Sequence, residues 1–146
     1  MCRRSDPTPR KGFTLVDLAV VIVILGVLAA FGVPRFITAS ERSTATEAFS
    51  YLSAVRGAQE RYHARNGSYA STIANLDVRT AAPRHFVVGD IAAGSTGRLA
   101  DSWSLTLMRQ GSPAAYGAYT VTYTEDGFDR PNSSIANLPT INPMGT

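Results

Sequence analysis

The sequence predicts an α+β protein in which one long N-terminal helix packs on a small antiparallel β-sheet. Residues 13–33 form an unbroken apolar run that holds a single ionisable side chain. Residues 35–66 carry apolar side chains at helical spacing, and the segments after residue 67 alternate apolar and polar residues as strands do. These patterns place a transmembrane half (13–34) and an amphipathic half on one helix, followed by a β-rich portion.

The apolar run is long enough to cross a lipid bilayer. At about 1.5 Å per residue, a helix over residues 13–33 spans roughly 30 Å, the thickness of the hydrocarbon layer. Its one acid, Asp17, would cost on the order of 3 kcal/mol at that depth, so we expect this carboxylate to have a partner and a function. The alternative is a plain signal-anchor helix that tolerates the acid.

A short basic head, residues 1–12, precedes the run and ends at Gly12. A secretory signal is cut after its apolar region at a small-residue site, but the residues Val33-Pro34-Arg35-Phe36 do not form one. A cut after Gly12 would instead leave the helix on the mature protein. The head carries four positive charges, which favour its retention in the cytoplasm and send the C-terminal portion outward. These residues are Arg3, Arg4, Arg10 and Lys11.

This junction resembles the class III leader of type IV pilins and of the pseudopilins of type II secretion. The matching residues are Lys11-Gly12-Phe13-Thr14-Leu15-Val16-Asp17, the apolar run, Gly26 and Pro34. The resemblance implies that a prepilin peptidase cuts after Gly12 and N-methylates Phe13. It also implies that Asp17, which stands where the family usually has Glu, pairs with the Phe13 amine of a neighbouring subunit.

Pro34 removes a backbone donor and crowds the preceding turn, so a kink is expected near it. In the family, the region that corresponds to residues 26–34 can lose helical order when subunits enter the filament. The alternative is a static kink in one long helix. We therefore assign Phe13, Asp17, Gly26 and Pro34 to assembly, and Gly12 and Phe13 to processing.

The resemblance implies a structural subunit of a type IV pilus-like filament. Its partners would be copies of itself, a prepilin peptidase, an inner-membrane assembly platform and the membrane. The subunit would reside in the inner membrane before assembly and in an extracellular pilus afterwards. One alternative is a type II secretion pseudopilin in a periplasm-spanning pseudopilus. Another is a membrane-anchored enzyme or ligand-binding module that reuses the leader.

Charge and cysteine content argue against nucleic-acid binding, disulfides and thiolate metal sites. Of the 14 basic and 11 acidic residues, four and one lie in residues 1–12, so the remainder holds ten of each sign. This neutral balance leaves no basic face for nucleic acid and lets copies stack without large repulsion. Cys2, in the leader, is the only cysteine, so the mature chain forms no disulfide and no thiolate metal site.

The amphipathic half of the helix, residues 35–66, is predicted to pack on the sheet. It ends at Asn66-Gly67, because both residues tolerate a left-handed cap. The segment 62–69 again resembles the corresponding segment of pilins and pseudopilins. The stripe that we expect to face the sheet consists of Ala45, Ala48, Leu52, Val55, Gln59 and Tyr62.

Residues 67–146 are the predicted β-rich portion. Strands are expected at 85–91, 102–108 and 118–124, in a sheet of three or four strands, with a turn or short helix at 71–76. Residues 131–146 are rich in Pro and Asn and are expected to be irregular. The strand residues expected to face the core are Trp103, Leu105, Leu107, Tyr119, Val121 and Tyr123.

Few residues suggest chemistry. His63 and His85 have no acid or second histidine at ligand spacing, which indicates packing or surface roles. Glu125, Asp126 and Asp129 cluster beside a glycine and could hold Ca²⁺, as the C-terminal loop of major pseudopilins does, but a solvated acidic turn is favoured. The sequence holds no phosphate loop, nucleophile elbow or metalloprotease motif, so we predict no enzyme, no cofactor and no metal.

Overall fold

The computed structural model describes residues 12–145; the leader residues 1–11, with Cys2, lie outside the described range. The described residues divide into two compact units between Phe36 and Ile37. A long N-terminal helix and a small antiparallel sheet confirm the predicted α+β class. The elements are α1 (Leu15–Asn66), β1 (Phe86–Val88), β2 (Ala92–Ala93), β3 (Trp103–Arg109), β4 (Thr120–Thr124), β5 (Gly127–Phe128) and two 3₁₀ turns (Ile73–Asn75 and Ser134–Asn137).

Helix α1 contains 52 residues and ends at the predicted position. Gly67 adopts a φ of 71°, and its N–H donates to the carbonyl oxygen of His63 at 2.8 Å. A left-handed residue of this kind commonly ends helices, and glycine adopts it without steric cost. Pro34 lies inside α1; the kink or loss of order near it stays a prediction.

The sheet is antiparallel throughout, in the order β1-β3-β4-β5, with β2 beside β3. Strands β3 and β4 form its centre, where Leu105 pairs with Tyr123 and Leu107 pairs with Val121. Because successive strand residues face opposite sides, this register gathers these four side chains on one face. All four are buried, which confirms the predicted inward face.

The strand predictions hold for β3 and β4, but of the predicted strand 85–91 only β1 (Phe86–Val88) forms. The second short strand, β2 (Ala92–Ala93), begins after that segment. Gly89 interrupts the segment where it passes close to β3, since a Cβ atom on Gly89 would lie 2.8 Å from the carbonyl oxygen of Thr106. With β5, which begins at Gly127 (φ 109°) directly after the turn at residues 125–126, the sheet has five strands within residues 12–145 rather than three or four.

The core lies between the sheet and the part of α1 after Ile37. Of the predicted helix stripe, Tyr62 is half-buried and the other members are buried, as predicted. Phe49 and Tyr51 join them from neighbouring helix positions. Strand β3 contributes Trp103, and Tyr119 lies one residue before β4; these are the two largest fully buried side chains among residues 12–145.

The C-terminal tail is more ordered than predicted. It forms the turn Ser134–Asn137, and the side chains of Ile135 and Ile141 are fully buried in the core. The Ser133 hydroxyl accepts the backbone N–H of Thr122 at 2.8 Å. The tail therefore supplies partners to the outer edge of β4, which the two residues of β5 do not cover.

Candidate assembly segment

Thr14 and Asp17 cap the first turn of α1. The Asp17 N–H donates to Thr14 Oγ1 at 3.2 Å, and the Thr14 N–H donates to Asp17 Oδ2 at 3.0 Å. The Thr14 hydroxyl also donates to Oδ2, at 2.8 Å. This reciprocal pattern is a capping box, which satisfies two backbone donors that have no partner inside the helix.

The Asp17 carboxylate keeps one oxygen for another partner. Both bonds that it accepts fall on Oδ2, and Oδ1 accepts no hydrogen bond within residues 12–145. Asp17 also forms no ion pair within that range. Since an ionised carboxylate has about four acceptor positions, Asp17 can cap its own helix and bind a cation through Oδ1.

The fold of the subunit does not explain Gly12 and Gly26. A Cβ atom at either position would meet no heavy atom of the described chain within 4 Å beyond its local backbone, and neither residue has a positive φ. Phe13 is 87% exposed. The roles of Gly12 and Phe13 in processing, and of Phe13, Gly26 and Pro34 in assembly, stay predictions that depend on contacts outside the subunit.

Every residue from 12 to 37 is exposed, including the large apolar side chains from Phe13 to Ile37. Among the described helices, α1 is the one that is long and apolar enough to cross a membrane. Soluble monomers rarely expose a continuous apolar patch larger than a few hundred Å². This surface therefore needs lipid or another apolar protein surface as its surroundings.

The three acids of the predicted acidic turn do not converge on one point. Glu125 Oε2 accepts the backbone N–H of Trp103 at 3.0 Å. The Asp129 carboxylate accepts the backbone N–H and the side-chain amide of Asn132, at 3.3 and 2.8 Å. Within residues 12–145 no group of three or more histidine, cysteine or acidic residues is arranged to hold a metal ion. The solvated acidic turn that the sequence favours at these residues stays a prediction.

His63 is half-buried and packs on its neighbours, which is one of the two roles that the sequence indicated. Its Nε2 lies 3.0 Å from the carbonyl oxygen of Ala100, so this nitrogen carries the proton and donates it. The ring stacks on Tyr69 with centroids 4.4 Å apart. His85 is exposed, just before β1.

An open groove of about 760 Å³ lies on the outer face of β3 and β4. Its lining is rich in serine and threonine, and the hydroxyls of Thr106 and Thr122 are bonded to each other at 2.8 Å. The Thr122 hydroxyl also donates to the carbonyl oxygen of Asn132. These hydroxyls form hydrogen bonds within the protein itself, and none of the lining residues is a histidine or a cysteine.

Sequence reasoning missed two polar arrangements. The first is the capping box, although the pattern of Thr14 followed three residues later by Asp17 at the start of an apolar run is a signal for it. The second is a set of three buried side chains, Glu41, Arg109 and Tyr119, which we call the Glu41 cluster. No short motif predicts it, because 68 residues separate Glu41 from Arg109.

The Glu41 cluster holds a closed ion pair. Arg109 Nε and Nη2 donate to the two Glu41 oxygens at 2.7 and 2.9 Å, and the Tyr119 hydroxyl donates to Glu41 Oε1 at 2.7 Å. The side chains of Glu41 and Arg109 are 3% and 5% exposed. Burial alone would raise the pKa of Glu41, but the hydrogen bonds from Arg109 and Tyr119 outweigh it, so the pKa is lowered. Both members of the pair are therefore charged at neutral pH.

No protein-family model matches the chain. It is similar to the type II secretion system core protein G of Klebsiella pneumoniae, with 39% identity over 74 residues, 51% of this chain and 53% of that protein. It is also similar to the type IV wide pilus major component PilA4 of Thermus thermophilus, with 41% identity over 66 residues, 45% of this chain and 50% of that protein. The fimbrial protein EcpC of Eikenella corrodens is 28% identical over 130 residues, 88% of this chain and 85% of EcpC.

The relatives of this chain are thus type IV pilins and core G proteins of type II secretion, which confirms the resemblance that the leader indicated. The chain spans about half the length of the first two relatives. The apolar helix and these relatives fit a protein that is anchored in a membrane and then assembled into a filament. The names of these relatives describe components of pili or of a secretion system.

Proposed function

We propose that this protein is a structural subunit of a type IV pilus-like filament and has no catalytic role. The observation that carries the proposal is the apolar half of α1, which is exposed along its whole length and carries one acid in its first turn. Such a surface is stable only in lipid or against other apolar surfaces. A membrane supplies the first environment, and a bundle of the same helix from many subunits supplies the second.

The proposed sequence of events begins in the inner membrane. The basic leader stays in the cytoplasm and the residues after the span face outward. A prepilin peptidase hydrolyses the peptide bond after Gly12, which leaves a free amine on Phe13, and then N-methylates that amine. An inner-membrane platform moves the processed subunit from lipid into an extracellular pilus.

The cut would create the one cation available to Asp17 in the apolar half. Lys11 is the only lysine of the chain, and no arginine or histidine occurs between residues 13 and 34. In this proposal, Oδ1 of Asp17 in one subunit accepts the Phe13 amine of its neighbour. The attraction is stronger in a dry bundle than in water, but desolvation offsets much of it. The main effect of the pair is therefore to fix the register between helices.

The test asks whether filaments form and at which residue their subunit begins. Cells that express this chain as their only candidate pilin are sheared, and the released material is imaged by electron microscopy and sequenced from its N-terminus. We expect filaments whose subunit begins at Phe13, and none from a strain that lacks the gene. A processed protein that stays entirely in the membrane of cells with a working assembly platform would exclude the proposal.

The second candidate is a pseudopilin of type II secretion, which the similarity to core protein G favours. A pseudopilus spans the periplasm and assists the export of other proteins, so its loss has a different consequence. Deleting the gene should abolish protein secretion and leave surface pili intact if this candidate is correct. Loss of surface filaments with normal secretion indicates the pilus.

A further inference from the structure

Two kinds of contact hold α1 against the sheet. From Ala45 onward the helix contributes buried apolar side chains to the core. Residues 37–44 contribute none, and the one buried side chain among them is Glu41. Besides the Glu41 cluster, this segment is tied to the sheet by the hydroxyls of Thr38 and Tyr116, which lie 2.7 Å apart. The first two turns of the helix in this unit are therefore attached through polar groups.

All of these partners come from one end of the β3–β4 hairpin. Arg109 is the last residue of β3, and its N–H donates to the carbonyl oxygen of Tyr119 at 2.8 Å. Tyr116 lies in the loop between them. The Arg109 guanidinium also donates to the carbonyl oxygen of His85 at 3.3 Å and lies 5.8 Å from the centroid of the Phe86 ring. Arg109 thus keeps partners on the sheet when the helix is absent.

Polar and apolar contacts differ in what their separation costs. Separating apolar side chains returns their surface to water without compensation. Separating a buried ion pair loses the attraction, but both groups regain the hydration that burial took from them. Removing one partner alone is different, because it leaves a charge buried without compensation. Residues 37–44 can therefore leave the sheet at a lower free-energy cost than the turns that follow.

We propose that the Glu41 cluster and the Thr38–Tyr116 bond form a polar latch, through which residues 37–44 detach from the sheet and return while the core from Ala45 onward stays folded. The latch belongs to a single subunit and does not depend on polymerisation. It would allow the helix to change its path at the edge of the sheet without unfolding the rest of the protein.

The experiment measures the distance across the latch and the state of the core in the same protein. Spin labels are placed on the exposed positions Ser40 and Ala115, as Ser40→Cys and Ala115→Cys, in the full chain with Cys2→Ser in detergent micelles. Pulsed electron paramagnetic resonance gives the label separation. The emission of Trp103, the only tryptophan and fully buried, reports the core.

In Arg109→Gln we expect a second, longer separation to appear while Trp103 emission stays that of the parent. In the parent, we expect added urea to broaden the separation before it changes Trp103 emission. The triple change Glu41→Met, Arg109→Met and Tyr119→Phe replaces the Glu41 cluster by apolar side chains, so it should keep the short separation up to the transition of the core.

Three results would overturn the proposal. One is an Arg109→Gln protein that keeps the single short separation. Another is an Arg109→Gln protein that loses the short separation together with the buried emission of Trp103, including by failing to fold. The third is a parent in which both signals change at the same urea concentration.

Discussion

Gln59 is fully buried in the apolar stripe of α1 and uses both ends of its side-chain amide. Its Nε2 donates to the carbonyl oxygen of Ala70 at 3.0 Å, and its Oε1 accepts the Ala70 N–H at 2.8 Å. The Gln59 side chain thus bonds both backbone groups of Ala70, as the backbone of a neighbouring β-strand would. A polar residue at an apolar position of the stripe is thus explained by a backbone partner 11 residues later.

We expect Gln59→Leu to destabilise the fold although leucine suits the stripe. The substitution leaves the N–H and carbonyl of Ala70 buried without partners, which costs about 2–4 kcal/mol for the two groups together. Urea denaturation followed by Trp103 emission measures this loss. Gln110→Leu is the matched control, because Gln110 is exposed and should change stability by less than about 0.5 kcal/mol. Equal stability of the two variants would show that the Ala70 bonds contribute nothing.

Among the helices and strands, hydrophobic periodicity predicted the features that depend only on residues close together in the sequence. The stripe of α1 and the alternation in β3 and β4 follow directly from side chains that face a common core. The early end of the predicted strand 85–91 depends on how close Gly89 comes to another strand, and the burial of the tail depends on distant core residues. The same holds for the site: Asp17 and Thr14 lie within one turn, whereas Glu41 meets Arg109 only after folding.

The Glu41 cluster makes stability depend on pH. The pKa of Glu41 is lower in the folded protein than its ordinary value of 4.5. Its contribution is therefore present above about pH 4.5 and is lost as the pH falls through the lower, folded value. Glu41→Gln removes this dependence and also leaves Arg109 without a counter-charge, which costs at most about 3–5 kcal/mol at neutral pH, and less when the opened latch returns Arg109 to water. Denaturation of parent and variant in micelles from pH 7 to pH 3 measures both effects.

Asp77→Asn provides the control for this prediction. Asp77 pairs with Arg61 at 2.8 Å, but both side chains are about half exposed. Water screens such a pair, so its loss should leave stability and its pH dependence nearly unchanged. If Asp77→Asn and Glu41→Gln flatten the acid dependence equally, burial of the Glu41 pair is not the cause.

At the scale of the whole molecule, the two halves of the chain have opposite requirements. The exposed apolar residues of α1 require a continuous apolar environment, whereas the remainder forms its own core and carries a balanced set of charges. The proposed cut at Gly12 removes four positive charges and leaves the neutral chain that would stack on itself. Processing and assembly are thus linked through net charge as well as through the new amine.

Binding of Ca²⁺ at the acidic turn would favour the pseudopilin over the pilus subunit. The carboxylates of Glu125 and Asp129 accept hydrogen bonds from different residues and share no partner, so we expect the acidic turn not to bind Ca²⁺. A chelator should then leave the melting temperature of the full chain in micelles unchanged, with Asp126→Asn as a comparison. A decrease on chelation that added Ca²⁺ reverses, and that Asp126→Asn lacks, would contradict this expectation and favour the pseudopilin.

Processing is expected to depend on Gly12 for reasons outside the subunit. A Cβ atom at Gly12 has open space around it, so Gly12→Val should not disturb the fold. It should block the close approach of a peptidase to the backbone, since glycine alone has no side chain there. We expect a membrane-resident precursor that still carries residues 1–12. An N-terminal sequence that begins at Phe13 in this variant would show that cleavage does not need the glycine.

Filament assembly is expected to depend on the charge of Asp17 rather than on its capping bond. Asp17→Ala removes both, so it should be processed and accumulate in the membrane with few filaments, and its insertion becomes easier because a costly acid is gone. Asp17→Asn separates the two roles, because its amide oxygen can still accept from Thr14 while the charge is lost. We expect Asp17→Asn to fail like Asp17→Ala, and Asp17→Glu, which retains a capping box and a charge, to assemble at least as well as the parent.

Quantifying the sheared and the membrane-bound subunit in the parent and the three variants measures this. Parental filament yield from Asp17→Asn would assign Asp17 to capping, and parental yield from Asp17→Ala would leave it as an acid that the membrane edge tolerates.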